Sequence, residues 1–317
     1  MSVARRPLPG LSEGLPPLLL VAHGTRDAAG AEVALRLADA VRRRLPGATV
    51  RLAFVDVRPP TVADLAPALR RATEVVVVPA FLAAGYHVRH DLPAQLASAG
   101  LAGRARLTPV LGADPQGVLG GDRGLGTDPR LVAAAEDRLR AAGWRPGDAT
   151  VLAAAGSSDP GARAEVGEAA RALGRRLGCR VRVGYLASGD PKLAGVVASA
   201  RATGRRVAVA SWLLAPGVFQ RRLEDAGADL AAAPLGVHPG VLDAVLTRYR
   251  DTLADRAEVA GPGRLAPRRA PGAAVGEHCR DRSYFHCAAA VAPAGRRWSG
   301  RTGRRRRPVS AVGGPCR

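Results

Sequence analysis

The chain has 317 residues, of which 47% are apolar and only 3% aromatic, so Ala, Val and Leu must fill most of its core. Its formal net charge is +20, but residues 257–317 hold 13 Arg against three acidic residues and carry half of that excess. The folded part carries the other half, and because nearly all basic residues are Arg, a bias that reflects base composition, we expect no nucleic-acid partner. Neither a secretory signal nor a long apolar segment occurs, which predicts a cytoplasmic protein without a membrane partner.

The first half of the chain alternates strand-length apolar runs with amphipathic helices. Apolar runs of this kind between helices indicate a parallel sheet with helices on both faces. The predicted strands are residues 18–22, 49–55, 74–79 and a fourth near 106–111. The predicted helices are residues 29–45, 62–72, 92–99 (opened by Asp91 and Pro93) and 129–142. Residues 116–127 are rich in Gly and are predicted to form a loop.

The second half repeats the first. LLVAHGTRD at 19–27 matches VLAAAGSSD at 151–159, and one offset of 132 without a gap pairs Gly24 with Gly156, Asp27 with Asp159 and Gly85 with Gly217. Strands are predicted at 150–154, 180–185, 205–211 and near 230–234, with a last helix at 239–253. We therefore expect an α/β fold of two tandem domains, each a parallel sheet flanked by helices, with a cleft between them.

The expected domain boundaries follow from this repeat and from composition. Residues 1–17 are predicted to be a disordered N-terminus, 18–144 the first domain and 149–255 the second, joined by a short linker at 144–148. After the second domain periodicity disappears, and residues 256–317 form a basic, low-complexity tail. The tail reads as disordered or as out-of-frame sequence.

Three polar side chains are predicted to gather at one edge of the first sheet. His23 ends the first strand, Asp56 ends the second, and His87 follows the third. Ligand sites form at the carboxyl ends of parallel strands, so these residues should converge. Two imidazoles and a carboxylate suit a borderline divalent cation such as Fe²⁺ or Co²⁺, and a neutral imidazole also accepts protons near pH 7.

These motifs carry a resemblance to a known family. AHGTRD at 22–27, the strand end AFVD at 53–56 and GYHVRHDLP at 85–93 resemble the sirohydrochlorin chelatases, over about residues 17–255. The resemblance implies paired α/β domains and insertion of Fe²⁺ into sirohydrochlorin, with His23 and His87 as catalytic and metal-binding residues. Asp56 stands where many relatives have Glu, so its contact with the metal is direct or through water.

The resemblance also implies the partners. The metal ion and sirohydrochlorin are substrates, no organic cofactor is required, and the protein is a monomer or a homodimer. Arg26, Arg89 and His90 are candidate substrate-binding residues because the substrate is rich in carboxylates. Two alternatives stay open: insertion of Co²⁺ for cobalamin synthesis, and a carrier of metal or tetrapyrrole without turnover.

The second half lacks the candidate ligands. At the offset of 132, His23 corresponds to Ala155, Asp56 to Ser188 and His87 to Phe219. Asp27, in contrast, recurs as Asp159, which indicates a structural role for that pair. The first domain is therefore predicted to hold the metal, and the second to supply the other wall of the cleft.

Overall fold

The computed structural model of the chain describes residues 14–114 and 126–259. The basic tail from residue 260 on, the N-terminal residues 1–13 and most of the Gly-rich loop lie outside this range, so the predictions for them are not addressed. Within it, no helix combines the length and the apolar character needed to cross a membrane.

Two four-stranded parallel sheets form the framework, as predicted. The first has the order β2-β1-β3-β4 and the second the equivalent order β6-β5-β7-β8. The strands of the first sheet are β1 (Leu18–Ala22), β2 (Val50–Phe54), β3 (Val75–Pro79) and β4 (Ala105–Leu107). Those of the second are β5 (Ala149–Ala154), β6 (Val181–Tyr185), β7 (Val207–Trp212) and β8 (Leu230–Ala231).

Helices connect the strands and cover both faces of each sheet. Their bounds are α1 (Ala28–Arg44), α2 (Val62–Leu69), α3 (Leu92–Ser98), α4 (Pro129–Ala141), α5 (Pro160–Leu177), α6 (Leu193–Arg201), α7 (Val218–Glu224) and α8 (Pro239–Val259). A one-turn π-helical segment, His87–Asp91, runs directly into α3. The sequence predicted a loop there, with Asp91 opening the helix.

The helix starts follow from local side chains. Asp27 caps α1 by accepting a hydrogen bond from the Ala29 N–H, and Asp159 caps α5 by accepting one from the Ala162 N–H. The recurrence of this Asp in both halves is therefore structural, as predicted from its position in the repeat.

The repeat is real but not free of gaps. Strand pairing relates β1 to β5 and β3 to β7 by an offset of 132, whereas β2 and β6 are related by 131. The connection between the first and second strands is one residue longer in the first half. The prediction of one uninterrupted offset is therefore wrong over this stretch, because a surface connection tolerates a length change that a paired strand does not.

The two halves exchange their last helices. α4, which closes the first half in sequence, packs against β7, α5 and α8, whereas α8 packs against α1 and β3. Arg248 of α8 is buried, and its guanidinium donates to the carbonyls of Val110 and Leu111 at 3.0 and 3.2 Å. The predicted boundary at 144–149 thus separates the two sheets but not the helices that cover them.

Candidate metal centre

Two imidazoles meet at the carboxyl edge of the first sheet. His23 directly follows β1, and His87 begins the π-helical turn after β3. Because β1 and β3 are hydrogen-bonded neighbours, the two side chains come together. Their ring centroids lie 4.6 Å apart, and the ring planes are 83° from each other. The structure thus brings together the two histidines that the sequence selected.

Each imidazole has its Nδ1 atom beside an oxygen atom. His23 Nδ1 lies 3.0 Å from the carbonyl O of Gly24, and His87 Nδ1 lies 2.6 Å from Asp91 Oδ2. A carbonyl and a carboxylate only accept hydrogen bonds, so each neutral ring carries its proton on Nδ1. The lone pair is then on Nε2 in both rings, which is the form of histidine that binds a divalent metal.

Gly24 allows the turn that presents His23. Its φ is +96°, and a Cβ atom at this position would overlap the backbone carbonyl of Asp56. Only glycine combines this backbone conformation with so close an approach. The turn is therefore fixed by the sequence and holds the carbonyl that His23 Nδ1 contacts.

Asp56 lies at the same edge of the sheet. Its N–H donates to the His23 carbonyl at 3.0 Å, and its carboxylate accepts from the Val57 N–H at 2.7 Å. Val57 has a φ of +72°, a strained conformation for a β-branched residue. Across residues 14–114 and 126–259, no three His, Cys, Asp or Glu side chains are grouped to hold a metal ion. Metal binding by Asp56 therefore stays a prediction.

Two guanidinium groups line a cavity of about 390 Å³ formed by residues that follow His23 and Asp56 along the chain. They belong to Arg26, which is exposed, and Arg58, whose Nε is buried without a hydrogen-bond partner. The Arg58 guanidinium lies over the Phe54 ring, 5.3 Å from its centroid. The lining also includes Glu32, so it is the two guanidinium groups with the unsatisfied Arg58 donor, and not the cavity as a whole, that favour an anionic group.

Arg89 and His90 follow His87 on the π-helical turn, and both are exposed. Arg89 Nε donates to the Ala84 carbonyl at 2.7 Å and lies 3.1 Å from Asp159 Oδ2 in the second half. His90 is exposed and stacks against Tyr86, with 4.8 Å between ring centroids. The structure thus directs Arg89 to the contact between the halves, and substrate binding by either residue stays a prediction.

A reciprocal pair of ion pairs joins the two halves. Arg89 contacts Asp159, and Arg221, its counterpart at an offset of 132, contacts Asp27 at 2.6 Å. The hydrogen bond from Arg221 lowers the pKa of Asp27. The hydrogen bond from the Ala162 N–H, followed by the charge of Arg89, lowers the pKa of Asp159. Both carboxylates are therefore held ionised as helix caps and as inter-half contacts.

One further acidic residue reaches the loop before His87. Glu165 of α5 accepts a hydrogen bond from the Ala84 N–H at 2.8 Å and lies 3.6 Å from Arg89. Its burial raises the pKa of this carboxyl group. The second half thus contacts the loop before His87 at its backbone as well as at Arg89.

The second half presents no comparable pair of imidazoles at its own edge, as the sequence indicated. Ala155 and Phe219 stand at the positions of His23 and His87. The counterpart of Asp56 depends on the backbone group compared. The N–H of Asp56 donates to the His23 carbonyl, as the N–H of Ala187 does to the Ala155 carbonyl. The carbonyl that approaches the preceding glycine is that of Asp56 at Gly24 and that of Ser188 at Gly156, as the offset of 132 predicts, and neither Ala187 nor Ser188 is an acid.

The sequence analysis missed the contact between Asp91 and His87, because it predicted only that Asp91 opens the helix that follows. The spacing of four residues between His87 and Asp91 was the available signal, since such residues lie on one face of a helical turn. The side chain caps no helix and instead contacts His87 Nδ1.

Comparison with known proteins identifies relatives of both sequence and fold. The CbiX family model matches residues 17–142 and 149–252. The chain is 26% identical to a sirohydrochlorin ferrochelatase of Priestia megaterium over 238 residues, which are 71% of this chain and 85% of the relative. It is 36% identical to a sirohydrochlorin cobaltochelatase of Sulfolobus acidocaldarius over 81 residues, which are 25% of this chain and 64% of the relative. The structure of SirB from Bacillus subtilis with Fe3+ has the same fold, with a TM-score of 0.62 at 22% identity over 77% of this chain and 98% of that one.

Proposed function

The chain belongs to the CbiX family, and we propose that it is a chelatase that inserts a divalent metal ion into sirohydrochlorin. The observation that carries the proposal is the pair of imidazoles at the edge of the first sheet, 4.6 Å apart, each with its Nδ1 atom engaged. Such a pair offers two Nε2 lone pairs to one incoming metal ion.

The same two groups suit the chemistry of insertion. A metal ion held by only two imidazoles is bound weakly enough to be passed on to the macrocycle nitrogens. As the metal enters, two pyrrole N–H protons must leave, and an imidazole released from the metal accepts a proton near neutral pH. His23 and His87 therefore act first as ligands and then as proton acceptors. Asp56 is proposed to assist at this edge, directly or through water.

We propose Fe²⁺ as the metal. Two named relatives match this chain over 238 and 251 residues, and both are sirohydrochlorin ferrochelatases. The cobaltochelatases match over only 78 to 84 residues. Imidazole ligands accept either ion, so the support comes from the extent of the matches and not from the ligand set.

The remaining features of the site suit a flat, anionic macrocycle. Arg26 and Arg58 are proposed to contact its carboxylates from the cavity that they line. Exposed apolar side chains lie near the corresponding edge of each half, namely Tyr86 in the first and Val218 and Phe219 in the second. The second half is thus proposed to provide an apolar wall of the cleft where the first half provides the metal ligands.

The test is an anaerobic absorbance assay of sirohydrochlorin with Fe²⁺ or Co²⁺ in turn. His23→Ala and His87→Ala should each abolish turnover above the uncatalysed rate, because each removes one of the two metal ligands. The matched control is His238→Ala, since His238 contacts Asp137 and the Gly240 N–H away from the pair. It should retain wild-type turnover.

Three results would decide against parts of this proposal. Wild-type protein that binds sirohydrochlorin but never exceeds the uncatalysed rate would exclude a chelatase and favour a carrier. Full activity of either histidine variant would exclude the proposed site. A larger kcat/KM for Co²⁺ than for Fe²⁺ would leave the activity in place and overturn the choice of metal.

A further inference from the structure

Asp91 precedes α3 but does not cap it. Its side chain makes no capping hydrogen bond to the backbone of α3. Its Oδ2 atom instead lies 2.6 Å from His87 Nδ1, and both side chains are about one third exposed, at 34% and 36%. A carboxylate at a helix start normally accepts a backbone N–H. This one is directed at the imidazole.

The backbone is also unusual at this point. The Leu92 N–H donates to the His87 carbonyl five residues back, which closes a π-helical turn over His87–Asp91. Isolated π-helical turns are rare, and those that occur often lie at functional sites. The corresponding segment of the second half, α7, begins as an ordinary α-helix at Val218.

The repeat shows which residues of this turn have counterparts in the second half. At an offset of 132, His87 is replaced by Phe219 and Asp91 by the fully buried Leu223. Arg89, which joins the halves, keeps its counterpart Arg221. Because α7 begins five residues earlier, at Val218, Leu223 lies inside that helix, and the comparison concerns the pair with His87 and not the helix start. The His87–Asp91 pair is lost as a unit where the metal-binding pair is lost.

We propose that Asp91 is a positioning residue for the metal centre: it holds the proton of His87 on Nδ1 and fixes the ring so that Nε2 faces His23 and the incoming metal. The inference rests on the proposed metal-binding role of His87. Carboxylates that accept a hydrogen bond from a ligating imidazole fix its tautomer and orientation, and their loss costs metal affinity without removing a ligand.

The test measures binding of Co²⁺ alone to the full chain by absorption titration, in a double-mutant cycle. Asp91→Ala should raise the dissociation constant about 10- to 100-fold. In a His87→Ala background the same substitution should change it by about twofold or less, since a positioning residue has nothing left to position. Asp91→Asn keeps an oxygen that accepts the Nδ1 proton and should recover part of the affinity.

Thermal unfolding of each variant serves as the control for a structural role. Asp91→Ala should unfold near the wild-type temperature because no backbone group loses a cap. An equal loss of affinity in both backgrounds would overturn the proposal, since Asp91 would then act as a ligand itself or through the fold. Wild-type protein without His87-dependent Co²⁺ binding would overturn it as well. Normal binding and coupling without turnover would uphold the positioning role while refuting the chelatase.

Discussion

The two turns that follow β1 and β5 allow a sharp test of how backbone geometry supports the site. Gly24 and Gly156 have φ values of +96° and +95°, and a Cβ atom at either would overlap a backbone carbonyl, that of Asp56 or of Ser188. Substitution by Ala therefore creates the same local conflict twice. Only the first conflict lies beside His23.

The expected loss of stability is similar for the two variants. A non-glycine residue held in this backbone region costs about 1–3 kcal/mol. The overlap with a carbonyl that cannot swing away like a flexible side chain adds an overpacking cost of about 1–3 kcal/mol. A total near 3 kcal/mol lowers the unfolding temperature of a folded region of 150–250 residues by roughly 6–12 °C.

The two variants should differ in metal binding. Gly24→Ala displaces the carbonyl that His23 Nδ1 contacts, so Co²⁺ affinity and turnover should fall well below those of Gly156→Ala. Thermal unfolding and Co²⁺ titration on both proteins provide the measurements. Equal metal affinities, or an unchanged unfolding temperature for Gly24→Ala, would refute this account of the turn.

Three further outcomes are expected. Arg89→Ala removes the ion pairs with Asp159 and Glu165, and Arg221→Ala the one with Asp27; because ion pairs at exposed side chains contribute little to stability, the two variants should unfold at similar temperatures. Only Arg89→Ala should lower turnover, because Arg89 lies on the same turn as His87; equal activities would contradict this. Arg26→Ala should raise the KM for sirohydrochlorin about 2- to 5-fold with kcat kept, and added salt should shrink the difference. The hydrogen bonds from Arg206 lower the pKa of Asp148. Asp148→Asn should therefore lower the unfolding temperature at pH values above the ordinary Asp pKa of about 3.9. The difference from the wild type should vanish as the pH falls through the lowered pKa of Asp148, in unfolding temperatures measured against pH.

Most strands were predicted closely, including the edge strands β2 and β6, whereas the short edge strand β4 was not. The run at 18–22 was predicted with the bounds that β1 has, because nearly every residue in it is buried and flanked by two strands. The fourth strand was expected at 106–111, whereas β4 covers Ala105–Leu107. An edge strand ends where its one neighbour stops offering hydrogen bonds, and the apolar pattern does not record that point.

The histidine pair could be predicted because topology alone brings it together. Neighbouring strands of a parallel sheet end at one edge, so the residues that follow β1 and β3 lie near each other. The partners of Arg89 could not be predicted in this way. Asp159 lies 70 positions further along the chain, and its contact depends on how the two halves pack. The exchange of α4 and α8 is of the same kind, since an amphipathic helix shows that it covers a sheet but not which one.

The second half contacts the first at the loop and turn that bear His87. Glu165 holds the Ala84 N–H, and Asp159 pairs with Arg89, so α5 of the second half fixes both ends of the segment around His87. The exchanged helices add a second dependence, since α8 covers part of the first sheet. We therefore expect the second half to be required for activity although it has no histidine pair, because its contacts position the segment that bears His87.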